Sequence, residues 1–216
     1  MDITDFVQTL ALYALPVLFA ITLHEAAHGY VARHFGDMTA HAQGRISLNP
    51  VRHIDPVGTI VVPLIVLLLS GGRLLFGWAK PVPVNYSALR RPKQHMAWVA
   101  AAGPAANLAM VIGWAALLKI AMALPTNYFT LPFALMAEAG IRVNLVFMFL
   151  NLVPIPPLDG GRIVTGLLPQ QLAWRYARLE PWGLFILLAL IVSRALDAVL
   201  IPLVSLADAL IRALVL

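Results

Sequence analysis

The 216 residues include no cysteine, so neither a disulfide nor a thiolate metal site can form, and any bound ion must be held by histidine or carboxylate. Charge is also scarce. Lys, Arg, Asp and Glu make up 12% of the chain, against roughly 25% in ordinary soluble domains. Hydrophobic residues make up 61%, with a mean hydropathy of +0.84, which points to a polytopic membrane protein embedded in a lipid bilayer. No linker, charge block, repeat or low-complexity tract divides the chain, so residues 1–216 read as one integral-membrane domain. A basic n-region and a cleavage site are likewise missing, with Asp2 and Asp5 in their place, and the first apolar segment is expected to stay as a span. The net charge of +5 does not imply nucleic acid, because the basic residues punctuate apolar segments instead of forming an aromatic-interleaved patch.

What is present sets out a topology. The first segment runs from about Phe6 to Phe35, with Pro16 placed to kink it. Arg33, Arg45 and Arg52 follow, so the positive-inside tendency puts its C-terminal end in the cytoplasm. Residues 37–56 are turn-rich, with Arg45–Leu48 expected to be extended. Gly58 to Leu69 is 12 residues, about 18 Å as a helix against a hydrocarbon core of about 30 Å, and reads as re-entrant. Trp78–Asn85 carries two prolines that exclude a helix but allow an edge strand. Such backbone must be covered by protein or line a watery cavity, so this stretch is expected to border the active site. Spans from about Met96 to Leu124 and from about Phe133 to Val153 follow, joined by a loop without Lys or Arg that reads as external. Pro154, Pro156 and Pro157 then break the chain before Asp159, at the cytoplasmic level of the first segment's end. Gln170 to Arg178 reads as an interfacial helix. From Gly183 onward, one span with a surface helix and two short spans fit equally, with Arg194 and Asp197, and Asp208 and Arg212, able to pair along a helix. The fold class is therefore all-α: a bundle of about five to six membrane helices or segments, with short strands or extended loops near the active site.

Chemistry concentrates in His24-Glu25-Ala26-Ala27-His28, an HExxH motif inside an apolar helix. Residues four apart share a helix face, so both imidazoles can reach one metal with the glutamate beside them. Ionisable groups at hydrocarbon depth are costly enough to be read as functional. A catalytic zinc takes three protein ligands and keeps a position for water. His24 and His28 supply two, and Asp159 is the best candidate for the third because the topology returns its segment to the same side. Glu25 would take the proton from the water and deliver it to a leaving amine, with a polar donor such as Asn151 helping to hold the oxyanion.

With Gly103-Pro104-Ala105-Ala106-Asn107 on the third apolar segment, and Asn151-Leu152-Val153-Pro154 running into Leu158-Asp159-Gly160, the motif resembles the site-2 protease family of intramembrane zinc metalloproteases. The matches span most of the chain in the family order. The resemblance implies His24, His28 and Asp159 as ligands of one Zn2+, Glu25 as general base, and Asn151 as a contact to substrate or transition state. It implies peptide-bond hydrolysis in a transmembrane segment of another protein, after local unwinding. A prokaryotic plasma membrane, with the active site toward the cytoplasm, goes with it. With no span before the motif helix, no PDZ module and no nucleotide-sensing tail, the chain is similar to the compact subgroup that carries the Gly77–Asn85 loop.

Blander roles stand beside these. The two histidines could be hydrogen-bonded core residues, Asp159 a helix N-cap and Asn151 an interhelical hydrogen bond. Gly103, Pro104 and Asn107 read as packing residues that let membrane helices approach closely. His53 with Asp55 reads as a solvated or capping pair in preference to a second metal site. A different functional class would use the same residues without hydrolysis, as a membrane metal-binding scaffold or metal transporter. That class calls for further intramembrane carboxylates, and the central spans carry none obvious, Glu138 falling near the external end of its helix.

Overall fold

The computed structural model describes residues 3–62, 65 and 79–215. Helix α1 (Ile3–His34) carries the HExxH motif and is followed by the single turn α2 (Thr39–Ala42). A short 3-10 turn at Pro50–His53 and a wide turn at Pro56–Val61 precede α3 (Pro92–Ala123) and α4 (Thr130–Leu152). Past the proline break come α5 (Asp159–Leu167), α6 (Gln170–Ala177), α7 (Glu180–Val192) and α8 (Ala195–Val215). Pro92 opens α3, where a missing N–H costs nothing.

Among the described residues, four helices are long and apolar enough to cross a membrane: α1 over Val7–His34, α3, α4 and α8. The described residues thus account for four of the five to six segments expected. At 13 residues α7 reaches only about 20 Å, short of a hydrocarbon core of about 30 Å. Half of the re-entrant reading of Gly58–Leu69 falls on residues 63–64 and 66–69, which lie outside the described residues. The tail divides at Arg194, which adopts left-handed backbone (φ 58°) and turns the chain from α7 into α8. Standing at that turn, Arg194 forms no ion pair with Asp197 among the described residues. Asp208 and Arg212 do pair, at 2.9 Å, and Glu138 of α4 lies 3.7 Å from the same guanidinium.

Helix α3 is the hub, packing against α1, α4 and α5. Val111, Trp114, Ala115 and Leu118 of α3 form the apolar core with Ala137, Ile141, Leu145 and Met148 of α4. Gly140 makes room for it, because a Cβ there would fall within the Trp114 indole. Val204, Ala207 and Ile211 of α8 close one side. Exposed apolar residues such as Leu10, Leu108, Ile112 and Leu203 cover the outside of the spans, as a lipid-facing surface requires.

The expected strands do not form among the described residues. Residues 79–85 are non-helical, but Pro81 and Pro83 have no N–H to give a ladder. The remaining donors go elsewhere: Lys80 N–H to the His53 carbonyl (2.9 Å), Val82 N–H to the Glu25 carboxylate (2.7 Å) and Asn85 N–H to Asp37 (2.7 Å). The Arg45 guanidinium donates to the Lys80 and Pro81 carbonyls in place of a partner strand.

Candidate metal centre

His24 and His28 lie one turn apart on the face of α1 that meets α3. The Val99 carbonyl of α3 sits 2.7 Å from His28 Nδ1, and because a carbonyl only accepts, that nitrogen carries the proton. Asn107 Oδ1 sits 2.6 Å from His24 Nδ1. The orientation of that amide is fixed from behind. Asn107 Nδ2 donates to Asn144 Oδ1 (3.0 Å) and to the Ala20 carbonyl (3.3 Å), while Asn144 Nδ2 donates to the Gly140 carbonyl (2.8 Å). Asn107 and Asn144 are wholly buried, so each needs these partners. With both Nδ1 positions protonated, neutral rings present bare Nε2 lone pairs inward.

Those lone pairs converge. His24 Nε2 and His28 Nε2 are 3.1 Å apart, and Asp159 Oδ2 lies 3.1 Å from the first and 3.3 Å from the second. Asp159 Oδ2 is buried without a hydrogen-bond donor. Three acceptors this close repel one another unless a cation lies among them. Tetrahedral zinc with bonds of about 2.0–2.1 Å sets its ligand atoms about 3.3 Å apart, close to the spacing found. Gly103 keeps the space open, since a Cβ would come 2.6 Å from both Nε2 atoms. His24, His28 and Asp159 are the one group of potential ligands this close together among the described residues.

The neighbouring elements are tied to this cluster. Glu25 Oε2 accepts the Val82 N–H on another face of α1. Arg162, one turn beyond Asp159, hydrogen-bonds the Tyr86 hydroxyl, lies 5.2 Å over its ring and stands 3.7 Å from Glu180. Burial raises the Tyr86 pKa against the lowering influence of Arg162, so the phenol stays neutral. Asn151 donates to the Phe147 carbonyl in its own helix at 3.0 Å, with no hydrogen bond to His24, His28 or Asp159 among the described residues. Asp55 caps the wide turn by accepting from Val57 and Gly58, and His53 is buried against the Ser47 carbonyl, as the capping reading expects. Asn107 does more than pack, since it joins His24 to Asn144, a residue that the motifs do not single out. The signal was there: an amide at hydrocarbon depth needs a partner.

No family model and no solved structure matches the chain. A curated relative does. YwhC of Bacillus subtilis, whose name carries the words zinc metalloprotease, is 36% identical over 194 residues, spanning 88% of this chain and 84% of YwhC. The chain belongs to the site-2 protease family of zinc metalloproteases. Rip2 of Mycolicibacterium smegmatis, also named a zinc metalloprotease, is 28% identical over 184 residues, covering 83% of this chain and 66% of Rip2. Rip2 of Mycobacterium tuberculosis is 29% identical over the same shares. As a member of this family the protein is a membrane metalloprotease whose cofactor is zinc, and the donors gathered by α1 and α5 fit that ion.

Proposed function

We propose that the protein is an intramembrane endopeptidase that hydrolyses peptide bonds within or beside transmembrane segments of other membrane proteins. The carrying observation is the convergence of three acceptors at 3.1–3.3 Å between helices, one of them long enough to cross a membrane. In this reading His24, His28 and Asp159 hold one zinc ion, which when bound acidifies water and polarises a carbonyl. Glu25 accepts the water's proton and passes it to the leaving amine. Asn151 keeps one amide hydrogen on Phe147 and offers the other to the developing oxyanion. The substrate helix must unwind first, because its carbonyls are otherwise occupied by their own hydrogen bonds. The arginines that follow α1 favour a site toward the cytoplasmic side of a prokaryotic plasma membrane.

Glu25→Gln tests this reading. The variant, purified in detergent, is expected to keep its zinc and to lose cleavage of a fluorogenic transmembrane peptide by on the order of 10²–10⁴-fold. Cleavage at the wild-type rate would remove Glu25 as the base. Metal uptake into vesicles that survives the substitution would favour a transporter.

A further inference from the structure

Proline has no N–H, so the run Pro81-Val82-Pro83 holds a single backbone donor. That donor is the one Glu25 Oε2 accepts, at 2.7 Å. The Val82 side chain, buried at 6% exposure, has its own seat on α1. A Cβ on Gly29 would come 3.2 Å from Val82 Cγ1 and 3.0 Å from Ile46 Cγ1, so the missing side chain is what lets this stretch lie against the helix. Gly29 follows Glu25 by four residues and shares its face. The stretch therefore meets α1 twice at one residue: a peptide N–H on the carboxylate and an isopropyl group over the glycine. Its flanks are held independently, by Lys80 N–H on the His53 carbonyl, by Arg45 on the Lys80 and Pro81 carbonyls, and by Asn85 N–H on Asp37. Those anchors hold the flanks without drawing on Glu25.

We propose that Val82 is the positioning residue of the Glu25 base. Its N–H holds Oε2 and so fixes the carboxylate plane, leaving Oε1 to meet the reacting water. A glutamate side chain free to rotate would spend much of its time away from that geometry, and a charge-assisted hydrogen bond from fixed backbone restricts it. The two prolines leave the Val82 N–H as the one backbone donor of Pro81–Pro83. This inference rests on the reading of Glu25 as the base.

The test replaces Val82 by its α-hydroxy acid in the full chain, turning the amide into an ester that keeps the isopropyl group and lacks the N–H. Val82→Ala keeps the N–H and serves as the conservative variant. Three readouts are taken on zinc-loaded protein in detergent: bound zinc, affinity for a simple aryl hydroxamate whose hydroxyl proton passes to the base as it chelates the metal, and kcat with KM on the fluorogenic peptide. The ester is expected to lose roughly fivefold to twentyfold in hydroxamate affinity and in kcat, with KM and zinc unchanged, while Val82→Ala, which keeps the N–H and gives up only the contact over Gly29, loses less than the ester on both readouts. In ¹⁵N-valine-labelled protein, the Val82 amide proton is expected to move upfield in Glu25→Ala. An unmoved resonance, or an ester that matches wild type, overturns the positioning role. An ester that loses zinc also overturns it, by assigning the contact to the metal site. Wild-type behaviour in Glu25→Gln would instead overturn the base itself, so the two failures are distinguishable.

Discussion

The two halves of α3 use one buried stripe for opposite purposes. Val99, Gly103 and Asn107 recur every four residues and turn toward α1, where they supply a carbonyl acceptor, an open space and an amide acceptor to the two histidines. Continuing in the same register, Val111, Trp114, Ala115 and Leu118 fill the space against α4 with carbon. Small polar atoms in the first half leave room and fix direction; large apolar ones in the second exclude room and fix the helix pair. Asn144 joins the halves, standing on α4 beside the apolar core yet bonded to Asn107. The lesson is that the precision of the candidate metal centre is borrowed from a core a few turns away.

That division can be broken at chosen points. Gly103→Val puts carbon where both Nε2 atoms point, and is expected to abolish zinc binding altogether, read as metal stoichiometry by atomic absorption. Leu145→Ala, in the filled half, should cost about 2–5 kcal/mol of stability through the cavity it leaves, seen as a lowered thermal midpoint in detergent while the protein still binds one zinc per chain. Asn107→Leu keeps the branched side chain's heavy-atom count and removes the acceptor, and zinc affinity by competitive chelation should fall about 10–100-fold with the thermal midpoint of the metal-free protein changing less than for Leu145→Ala. Equal loss of affinity in Asn107→Leu and Leu145→Ala would erase the distinction between the halves. The smallest effect is expected for Arg212→Ala, whose pairs with Asp208 and Glu138 are partly solvent-exposed and worth about 1 kcal/mol or less, with zinc affinity unchanged.

These contrasts also show what could be read from the sequence. His24 and His28 were legible because their relation is local, four residues on one helix, and Asp159 because counting spans returns it to the same side. The three atoms do come together. The pairing of Asn107 with Asn144 is not legible in the sequence, because which polar group faces which depends on the rotation of α3 about its axis, which spacing along one chain does not encode. The prolines at 81 and 83 correctly excluded a helix, but not which acceptors the leftover N–H groups would find; they found Glu25, Asp37 and a loop carbonyl, and no ladder formed. Ser193, Arg194 and Asp197 interrupt the apolar run between α7 and α8 without a glycine or proline to end a helix, so the break at Arg194, a matter of one residue's backbone conformation, leaves the tail open to two arrangements from the sequence.

Asp159 follows the fourth helix and His24 and His28 belong to the first, with α3 as the scaffold between them. An ion shared by the three would act as a rivet joining the opening third of the polypeptide to its closing third. Zinc would then contribute to folding as well as to chemistry, since ligands assembled from remote parts of a chain stabilise the assembled state by the free energy of binding. The protein stripped of metal would keep its α3–α4 core while α1 and α5 lost their common fastening, so a chelator should act on this membrane enzyme as a local denaturant before it acts as a global one.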